Sequence, residues 1–180
     1  MEFNDCLKVI LKFEGGYDND PNDHGGATNF GITQRVYDSY KDNKDLPHQS
    51  VKNILSSEVS DIYFRNYWLD GKCDKLPLGL NLLHFDACVN CGIHQAALFL
   101  QRSVGVEADG KIGPITVRAA NAQDTVKSIN RYHAERIEFY MRLVHNNESQ
   151  RKFQNGWNHR ADRCKTIALE ELAKWQAVRA

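Results

Sequence analysis

The feature that most constrains this chain is an amphipathic pattern that stops at a glutamate followed by two glycines. Apolar side chains recur at three- and four-residue intervals near the N-terminus, at Phe3, Cys6, Leu7, Ile10 and Phe13. This spacing predicts one buried face of a first helix. Gly15 and Gly16 are predicted to end that helix, because glycine readily takes the left-handed conformation that closes helices. The pattern therefore places the carboxyl group of Glu14 at the end of an apolar helical face.

A polar stretch without helical periodicity follows Glu14 and extends to Ile32. It contains three turn-forming pairs, Asp20-Pro21, Asn22-Asp23 and Gly25-Gly26. Short extended pieces around Tyr17 and around residues 29–32 are predicted to pair as a small β-hairpin. We therefore expect a glutamate, several loop carboxylates and a short β element to lie close together.

The remainder of the chain has helical patterns. Thr33 is predicted to cap a helix, Ser50 a second helix whose buried face includes Leu55, and Asp124 a long third one. The apolar segment 80–100 predicts a central buried helix that breaks at Gly92, and a last helix is expected from near Asn158 to Ala177. The predicted fold class is mainly α, with at most a small β-hairpin next to the glutamate.

Composition indicates an ordinary globular protein. The chain has 180 residues, of which 42% are hydrophobic and 26% are charged, enough to bury a core. No apolar run approaches the ~20 residues needed to cross a membrane, and the acidic, polar N-terminus does not resemble a signal peptide. We therefore expect synthesis in the cytoplasm and no membrane insertion. The expected oligomeric state is a monomer.

The charge is distributed unevenly along the chain. The net charge is zero, but residues 1–90 carry −5 and residues 91–180 carry +5. Either an acidic catalytic half is joined to a basic half that attracts an anionic polymer, or the two halves complement each other within the fold. No nucleic-acid partner is expected.

The cysteines and histidines indicate no metal site or cofactor. The five cysteines are scattered, at Cys6, Cys73, Cys88, Cys91 and Cys164. Cys88 and Cys91 form a CxxC pair, but neither a second such pair nor a histidine pair completes a zinc motif. They are predicted to be packing thiols in a reduced protein. The sequence also lacks dinucleotide-binding, P-loop and GxSxG patterns.

The carboxylates of the first 30 residues suit glycoside hydrolysis. That reaction needs a protonated carboxyl group that donates to the leaving oxygen, and a second group that positions water or stabilises the positive sugar. Glu14 is the candidate acid, because an apolar environment favours a protonated carboxyl group. Asp20 and Asp23 are candidates for the second role, and the hydroxyl of Thr28 could hold a water. The alternative is a solvated glutamate beside an ordinary polar loop.

The sequence also resembles the glycoside hydrolase family 108 N-acetylmuramidases. The motifs that carry the resemblance are Glu14-Gly15-Gly16-Tyr17, Asp20-Pro21-x-Asp23-x-Gly25-Gly26-x-Thr28-Asn29, Asp86-Ala87-x-Val89-Asn90-x-Gly92 and Asp109-Gly110-x-Ile112-Gly113-Pro114. The resemblance implies a lysozyme-like helical fold, with a catalytic region at residues 1–92 and a peptidoglycan-binding region at residues 93–180. It further implies that Glu14 is the catalytic acid.

The residue in the second catalytic role stays open between Asp20, Asp23, Thr28 and Asn29. The spacing of Glu14 and Asp23 is similar to that in phage lysozymes, which carry a threonine six residues after the aspartate. Here Asn29 occupies that position and Thr28 lies one residue earlier. Asn29 and Asp20 are also candidates for binding the sugar.

Three further residues are candidates for substrate binding. Asp86 and Asn90 are four residues apart, so they share one face of a helix. They could bind sugar hydroxyl and acetamido groups, or form a buried polar pair that fixes the helix to its neighbours. Tyr63 could stack on a sugar ring or belong to the core.

Taken together, the motifs imply a hydrolase that cuts the β-1,4 bond between N-acetylmuramic acid and N-acetylglucosamine in bacterial peptidoglycan. An enzyme without a signal peptide would suit a phage endolysin that a holin releases to the cell wall. One alternative is a non-catalytic wall-binding or secretion accessory protein that keeps the fold. The other is a lytic transglycosylase, which relies on a single glutamate and leaves a 1,6-anhydro product.

Overall fold

The computed structural model describes residues 1–19 and 26–179, and it confirms the predicted mainly α fold class. Over these residues the structure is 71% helical, with eight α-helices and one small two-stranded antiparallel sheet. The helices are α1 Phe3–Ile10, α2 Gln34–Asp42, α3 Ser56–Tyr63, α4 Leu80–Cys91, α5 Ile93–Val104, α6 Pro114–Ala122, α7 Thr125–Asn146 and α8 Arg151–Ala177. Among these described helices, none combines the length and apolar character that a membrane span requires.

The chain forms two compact units. One comprises Asn4–Asn66, and the other comprises Met1–Phe3 together with Tyr67–Ala180. This structural division lies near residue 66, whereas the sequence motifs place the catalytic and wall-binding regions at residues 1–92 and 93–180. The latter division concerns function, and it stays a prediction.

In the unit Asn4–Asn66, α1 ends earlier than predicted. It stops at Ile10, and the next residues form tighter turns in which Lys12 N donates to Val9 O at 3.2 Å and Phe13 N donates to Ile10 O at 2.9 Å. Neither Gly15 nor Gly16 adopts a positive φ, so the expectation that these glycines close the helix is wrong. The helix ends instead by tightening from i−4 to i−3 hydrogen bonds, a common form of helix terminus.

The β-hairpin also differs in detail from the prediction. Strand β1 (Thr28–Asn29) pairs with strand β2 (Ile32–Thr33), so the hairpin forms within residues 28–33 rather than between these residues and Tyr17. Asp18 adds a single antiparallel bridge to Thr28. The two turn residues, Phe30 and Gly31, have φ values of 51° and 73°, which is the backbone form that two-residue hairpins favour.

Helix α2 begins as predicted, because the Thr33 hydroxyl accepts a hydrogen bond from Val36 N at 3.3 Å. Ser50, by contrast, caps only a 3₁₀ turn, Val51–Asn53. The following helix α3 starts after Leu55, whose backbone N–H donates to the Glu58 carboxylate at 3.0 Å. Leu55 is 60% exposed, so its predicted place on a buried face is wrong: the Glu58 carboxylate starts a new helix there. A π-helical segment, Phe64–Leu69, continues α3.

In the second unit, α4 and α5 form the central pair, and Gly92 separates them with a φ of 83°. The predicted break at Gly92 is therefore confirmed. The core around α4 includes the rings of Phe3, Trp68 and Phe85, with the Trp68 and Phe85 centroids 5.3 Å apart. Burial of these large rings is the main stabilisation that such a helical core provides.

Helices α7 and α8 are the longest described helices, with 22 and 27 residues, and only α7 begins where the sequence predicts. Asp124 caps α7 by accepting from Lys127 N at 2.8 Å. Helix α8 begins at Arg151 rather than near Asn158. Stacked aromatic rings stabilise these additional N-terminal turns of α8. The ring centroid of Trp157 lies 5.9 Å from that of Phe153 in the same helix and 5.2 Å from that of Tyr140 in α7.

Candidate active site

Glu14 lies in the turn that follows α1, with its carboxylate against the hairpin. The residue is half-buried, and its Oε1 atom is buried. A Cβ placed on Gly31 would lie 2.5 Å from Glu14 Oε2 and 3.1 Å from the carboxyl carbon. Only a glycine therefore leaves room for the carboxylate beside the turn. Gly31 satisfies two demands at this position, a positive φ and the close approach of Glu14.

Tyr63 holds the same turn from α3. Its hydroxyl donates to the Phe30 carbonyl oxygen at 2.8 Å, and a Cβ on Gly31 would lie 2.9 Å from the hydroxyl oxygen. The side chain is buried, with 1% exposure. The ring of Tyr63 therefore belongs to the core, which was one of the two alternatives, and its hydroxyl positions the turn that Glu14 contacts.

The structure places Thr28 and Asn29 on strand β1 of this hairpin. The backbone of Thr28 pairs with Asp18, with N···O distances of 2.8 Å and 2.9 Å. The buried amide of Asn29 donates to the carbonyl oxygens of Val51 and Lys52, at 3.2 Å and 3.3 Å. The donors of Asn29 thus tie the hairpin to the 3₁₀ turn at Val51–Asn53. The other two loop candidates, Asp20 and Asp23, lie outside the described residues.

The Tyr67–Ala180 unit contains the other two predicted substrate-binding residues, in a buried ionic network. Asp86 has no exposed surface, and its two oxygens face Arg136 Nη1 at 2.6 Å and Arg160 Nε at 2.8 Å. Burial alone would lower the pKa of Arg136, but the facing Asp86 carboxylate raises that pKa well above its ordinary value. Asp86 is therefore engaged as a structural ion-pair partner between α4, α7 and α8.

Asn90, one turn further along α4, joins this network. Its Oδ1 accepts hydrogen bonds from Tyr140 Oη at 2.6 Å and from Arg136 Nη2 at 3.2 Å. Arg136 in turn donates from Nε to the Tyr140 hydroxyl at 2.7 Å. The observed geometry of both residues favours the second alternative given for them, a polar pair that fixes the central helix to its neighbours.

One cluster of chemically active side chains was missed in the sequence. Cys73, His84 and Cys88 are all buried, and one candidate ligand atom from each lies within 4.8 Å of the others. Burial would favour the protonated thiol of Cys88, but the adjacent Cys73 thiol and His84 ring lower its pKa to about 5. The only signal for this cluster was the four-residue spacing of His84 and Cys88, which places both on one face of α4.

Cys91, the second residue of the CxxC pair, does not belong to this cluster. It is half-buried, and its Sγ lies 3.6 Å from the Tyr140 hydroxyl. Burial raises the pKa of its thiol, as is usual for a packing cysteine. Residues 88 and 91 therefore contact different groups, although they are neighbours in the sequence.

The sequence matches two family models. Residues 7–92 match the glycosyl hydrolase 108 model, and residues 95–162 match a model described as a predicted peptidoglycan domain. The first range contains Glu14, Gly31 and Tyr63. The second contains most of α5 and all of α6 and α7. A comparison with curated proteins finds no match.

Among solved structures, the chain is similar to SagA of Brucella abortus. The two share 30% sequence identity, the match covers 94% of each chain, and the TM-score is 0.77. The likeness therefore extends over both family models and both compact units. With the Glu14 site in the first matched region and a peptidoglycan domain in the second, the chain belongs to the glycosyl hydrolase 108 family and is a peptidoglycan-degrading hydrolase.

Proposed function

We propose that this hydrolase is a lysozyme-type N-acetylmuramidase, which cleaves the β-1,4 bond between N-acetylmuramic acid and N-acetylglucosamine. The observation that carries the proposal is the placement of the Glu14 carboxylate against Gly31 of the hairpin. This carboxylate lies in the region that matches the glycosyl hydrolase 108 model. A half-buried acid beside a bare glycine backbone suits proton donation to a glycosidic oxygen.

In this mechanism Glu14 protonates the oxygen that leaves with the cleaved sugar. The contact with Gly31 and the buried Oε1 atom limit the positions that the carboxyl group can take. Fixing an acid in this way helps catalysis, because the donor needs no reorientation as the bond breaks. Proton transfer from a positioned side chain typically contributes about 10²–10⁴-fold to the rate. The hydrogen bond from Tyr63 to Phe30 O supports this arrangement through the turn.

Asp23, with Thr28, is proposed for the second role, which is to direct water or stabilise the developing positive charge. Asp20 and Asn29 are the competing candidates. The amide donors of Asn29 already bind Val51 O and Lys52 O, which favours the other three. Steady-state kinetics of Asp23→Asn, Asp20→Asn and Thr28→Ala would rank them. Azide should restore activity to the variant that lacks a carboxylate acting on the sugar or on water.

The bond specificity can be tested directly on the products. Purified peptidoglycan is digested, reduced with borohydride and analysed by mass spectrometry. A muramidase leaves N-acetylmuramic acid at each new reducing end, so reduction should yield its alditol. New N-acetylglucosamine ends would refute the assigned bond, and 1,6-anhydro ends would establish a lytic transglycosylase instead. Binding of intact walls without any product would establish a wall-binding accessory protein.

We also propose that residues 93–180 hold the glycan while the Glu14 site cuts it. This range contains the segment that matches the peptidoglycan domain, and residues 91–180 carry a net charge of +5, which suits an anionic polymer. Sedimentation of Glu14→Gln protein with purified walls would test the binding at rising salt concentrations. Binding that weakens with salt supports an electrostatic contribution, and binding that is unaffected by salt contradicts it.

The proposed setting is phage lysis, in which a monomer made in the cytoplasm reaches the cell wall through holin lesions. Expression in a Gram-negative host tests this proposal. Lysis should occur when a holin is co-expressed and should not occur with either protein alone. Lysis without the holin would show another route to the wall, and light scattering would establish the oligomeric state.

A further inference from the structure

The cluster of Cys73, His84 and Cys88 is the strongest feature of the molecule that the hydrolase activity does not use. All three residues have 0% exposure. Cys73 lies in the 3₁₀ turn Cys73–Lys75, and the other two lie one turn apart on α4. The Cys88 Sγ atom is 3.5 Å from His84 Nε2. Two thiols and an imidazole nitrogen thus converge in the interior of the unit.

The spacing of these atoms fits a tetrahedral zinc ion. With Zn–S near 2.3 Å and Zn–N near 2.0–2.1 Å, tetrahedral ligands of these two types lie about 3.6 Å apart. The observed distance of 3.5 Å between Cys88 Sγ and His84 Nε2 agrees with this value. All three ligand atoms lie within 4.8 Å of one another, so a small adjustment of side chains would complete the triangle.

We propose that Cys73, His84 and Cys88 bind a buried zinc ion through Cys73 Sγ, Cys88 Sγ and His84 Nε2, with the Gly71 carbonyl oxygen as the fourth ligand. That oxygen lies 2.9 Å from His84 Nε2, the distance of a direct hydrogen bond. Nitrogen and oxygen ligands of a tetrahedral zinc lie about 3.4 Å apart, so the carbonyl oxygen would move outward by about 0.5 Å as the ion enters. Thiolate and imidazole ligands select zinc over magnesium or calcium, which prefer oxygen. All three ligand residues are fully buried, so the ion is assigned a structural role.

Gly71 is shaped to admit this cluster. A Cβ at this residue would lie 2.8 Å from Cys88 Sγ, 3.3 Å from Cys73 Sγ and 2.5 Å from the Tyr67 carbonyl oxygen. The φ of Gly71 is not positive, so its backbone conformation does not require a glycine. The close approach of these atoms does require one. The absence of a side chain lets the backbone of Gly71 lie directly against both sulfurs.

The histidine ring is oriented as a ligand requires. Its Nδ1 atom lies 3.1 Å from the Tyr132 hydroxyl, which donates to the Ala96 carbonyl oxygen at 3.3 Å. Before the ion binds, Nε2 donates a hydrogen bond to the Gly71 carbonyl oxygen. Once the ion is bound, Nδ1 would carry the proton and donate a hydrogen bond to the Tyr132 hydroxyl oxygen, which leaves the Nε2 lone pair for the metal. Such an outer hydrogen bond fixes the tautomer of a metal-binding histidine. On zinc binding, the two thiols release their protons, and the neutral ring keeps one proton, which moves from Nε2 to Nδ1.

The ion would join the irregular segment before α4 to the helix itself. Cys73 and Gly71 precede α4, whereas His84 and Cys88 belong to it, and a metal bond between them closes this loop. A structural zinc stabilises the folded chain, because the unfolded chain holds no preformed site. The expected role is therefore stability of the Tyr67–Ala180 unit, without participation in glycoside cleavage.

The proposal is tested on the full-length protein, reduced and purified in the presence of zinc. Elemental analysis should find one zinc per chain, and cobalt exchange should produce thiolate-to-cobalt charge-transfer bands with the intense visible bands of a tetrahedral site. Cys88→Ala should lose both signals and the stabilisation by zinc in thermal unfolding. Cys6→Ala, which removes another fully buried thiol outside the cluster, should keep them.

The cobalt spectrum of the wild-type protein decides the matter even if Cys88→Ala does not fold. The proposal is overturned if saturating zinc leaves no bound metal, or if cobalt gives no charge-transfer band. It is also overturned if Cys88→Ala retains as much metal as the wild type.

Discussion

The contact between Glu14 and the hairpin turn leads to a sharp prediction for Gly31→Ala. In the structure a Cβ at this position would lie 2.5 Å from Glu14 Oε2 and 2.9 Å from the Tyr63 hydroxyl oxygen. Neither atom can stay in place, because ordinary contacts of a Cβ begin at 3.4 Å. The carboxylate must therefore move by about 1 Å, and such a displacement of a catalytic group can cost on the order of 10²-fold in rate.

The same substitution also strains the backbone, and Gly26→Ala measures that effect alone. Gly26 has a φ of 72°, almost the same as the 73° of Gly31, but a Cβ on Gly26 would meet no atom of the described residues within 4 Å. Both variants should lose about 1–2 kcal/mol of stability, since a residue with a Cβ pays this cost in the left-handed region. Only Gly31→Ala should also displace the acid.

The assay is the rate of wall clearing by each variant at a temperature where both are folded. We expect kcat/KM to fall about 100-fold for Gly31→Ala, and to stay within a few-fold of wild type for Gly26→Ala. The double variant Gly31→Ala/Tyr63→Phe should be as inactive as Gly31→Ala alone. Tyr63→Phe removes the clash of the new Cβ with the hydroxyl, but the clash with the Glu14 carboxylate remains. Equal losses in the two glycine variants, or full activity of Gly31→Ala, would refute the placement of Glu14.

Three further predictions concern stability. Asp86→Asn leaves the buried Arg136 guanidinium without its carboxylate, so urea unfolding should show a loss of about 3–5 kcal/mol; an unchanged midpoint would contradict the buried ion pair. The hydrogen bonds from Lys44 and Arg65 lower the pKa of Asp61 to about 2 from 3.8, so this carboxylate stabilises the folded state above pH 4 and loses that effect as the pH falls toward 2. The difference in melting temperature between wild type and Asp61→Asn should therefore shrink over this interval, and a constant difference would contradict it. Gly79→Ala should destabilise the protein more than Gly105→Ala, because both have positive φ but only a Cβ on Gly79 would lie 2.9 Å from the backbone oxygen of Ala168; calorimetry of the pair would test this.

Local signals in the sequence predicted much of the helical framework. The caps at Thr33 and Asp124 and the break at Gly92 depend on single residues and their near neighbours, so short-range patterns suffice for them. The start of α8 was misplaced because the aromatic stacking of Trp157 on Tyr140 extends the helix from a distance. Such tertiary packing routinely overrides local propensity.

The hairpin illustrates a second limit of sequence reasoning. Its turn residues are Phe30 and Gly31, whereas the usual signal for this turn is Asn-Gly or Asp-Gly. Phenylalanine with a positive φ is uncommon, and the hydrogen bond from Tyr63 to Phe30 O helps to hold it there. These two partners are 33 positions apart in the sequence, so no local pattern indicates this support.

The candidate site was predicted in part. The Glu14 motif correctly indicated an acid near a short β element, because both are close in sequence. The contact with Gly31 and the internal use of the Asn29 amide depend on how the hairpin packs in three dimensions. The cluster that includes Cys73 and His84 was missed for the same reason, since the 11-residue separation of these two matches no familiar ligand spacing.

The central claim, that Glu14 is the proton donor, is tested most directly by wall clearing with wild type and Glu14→Gln. Glutamine keeps the shape of the side chain but cannot act as the acid, so activity should fall by about 10²–10⁴-fold while the protein stays folded and still sediments with walls. Glu2→Gln, which makes the same change at an exposed residue, should clear walls as fast as the wild type. Equal clearing by Glu14→Gln and wild type would contradict the account and place the chemistry on another residue.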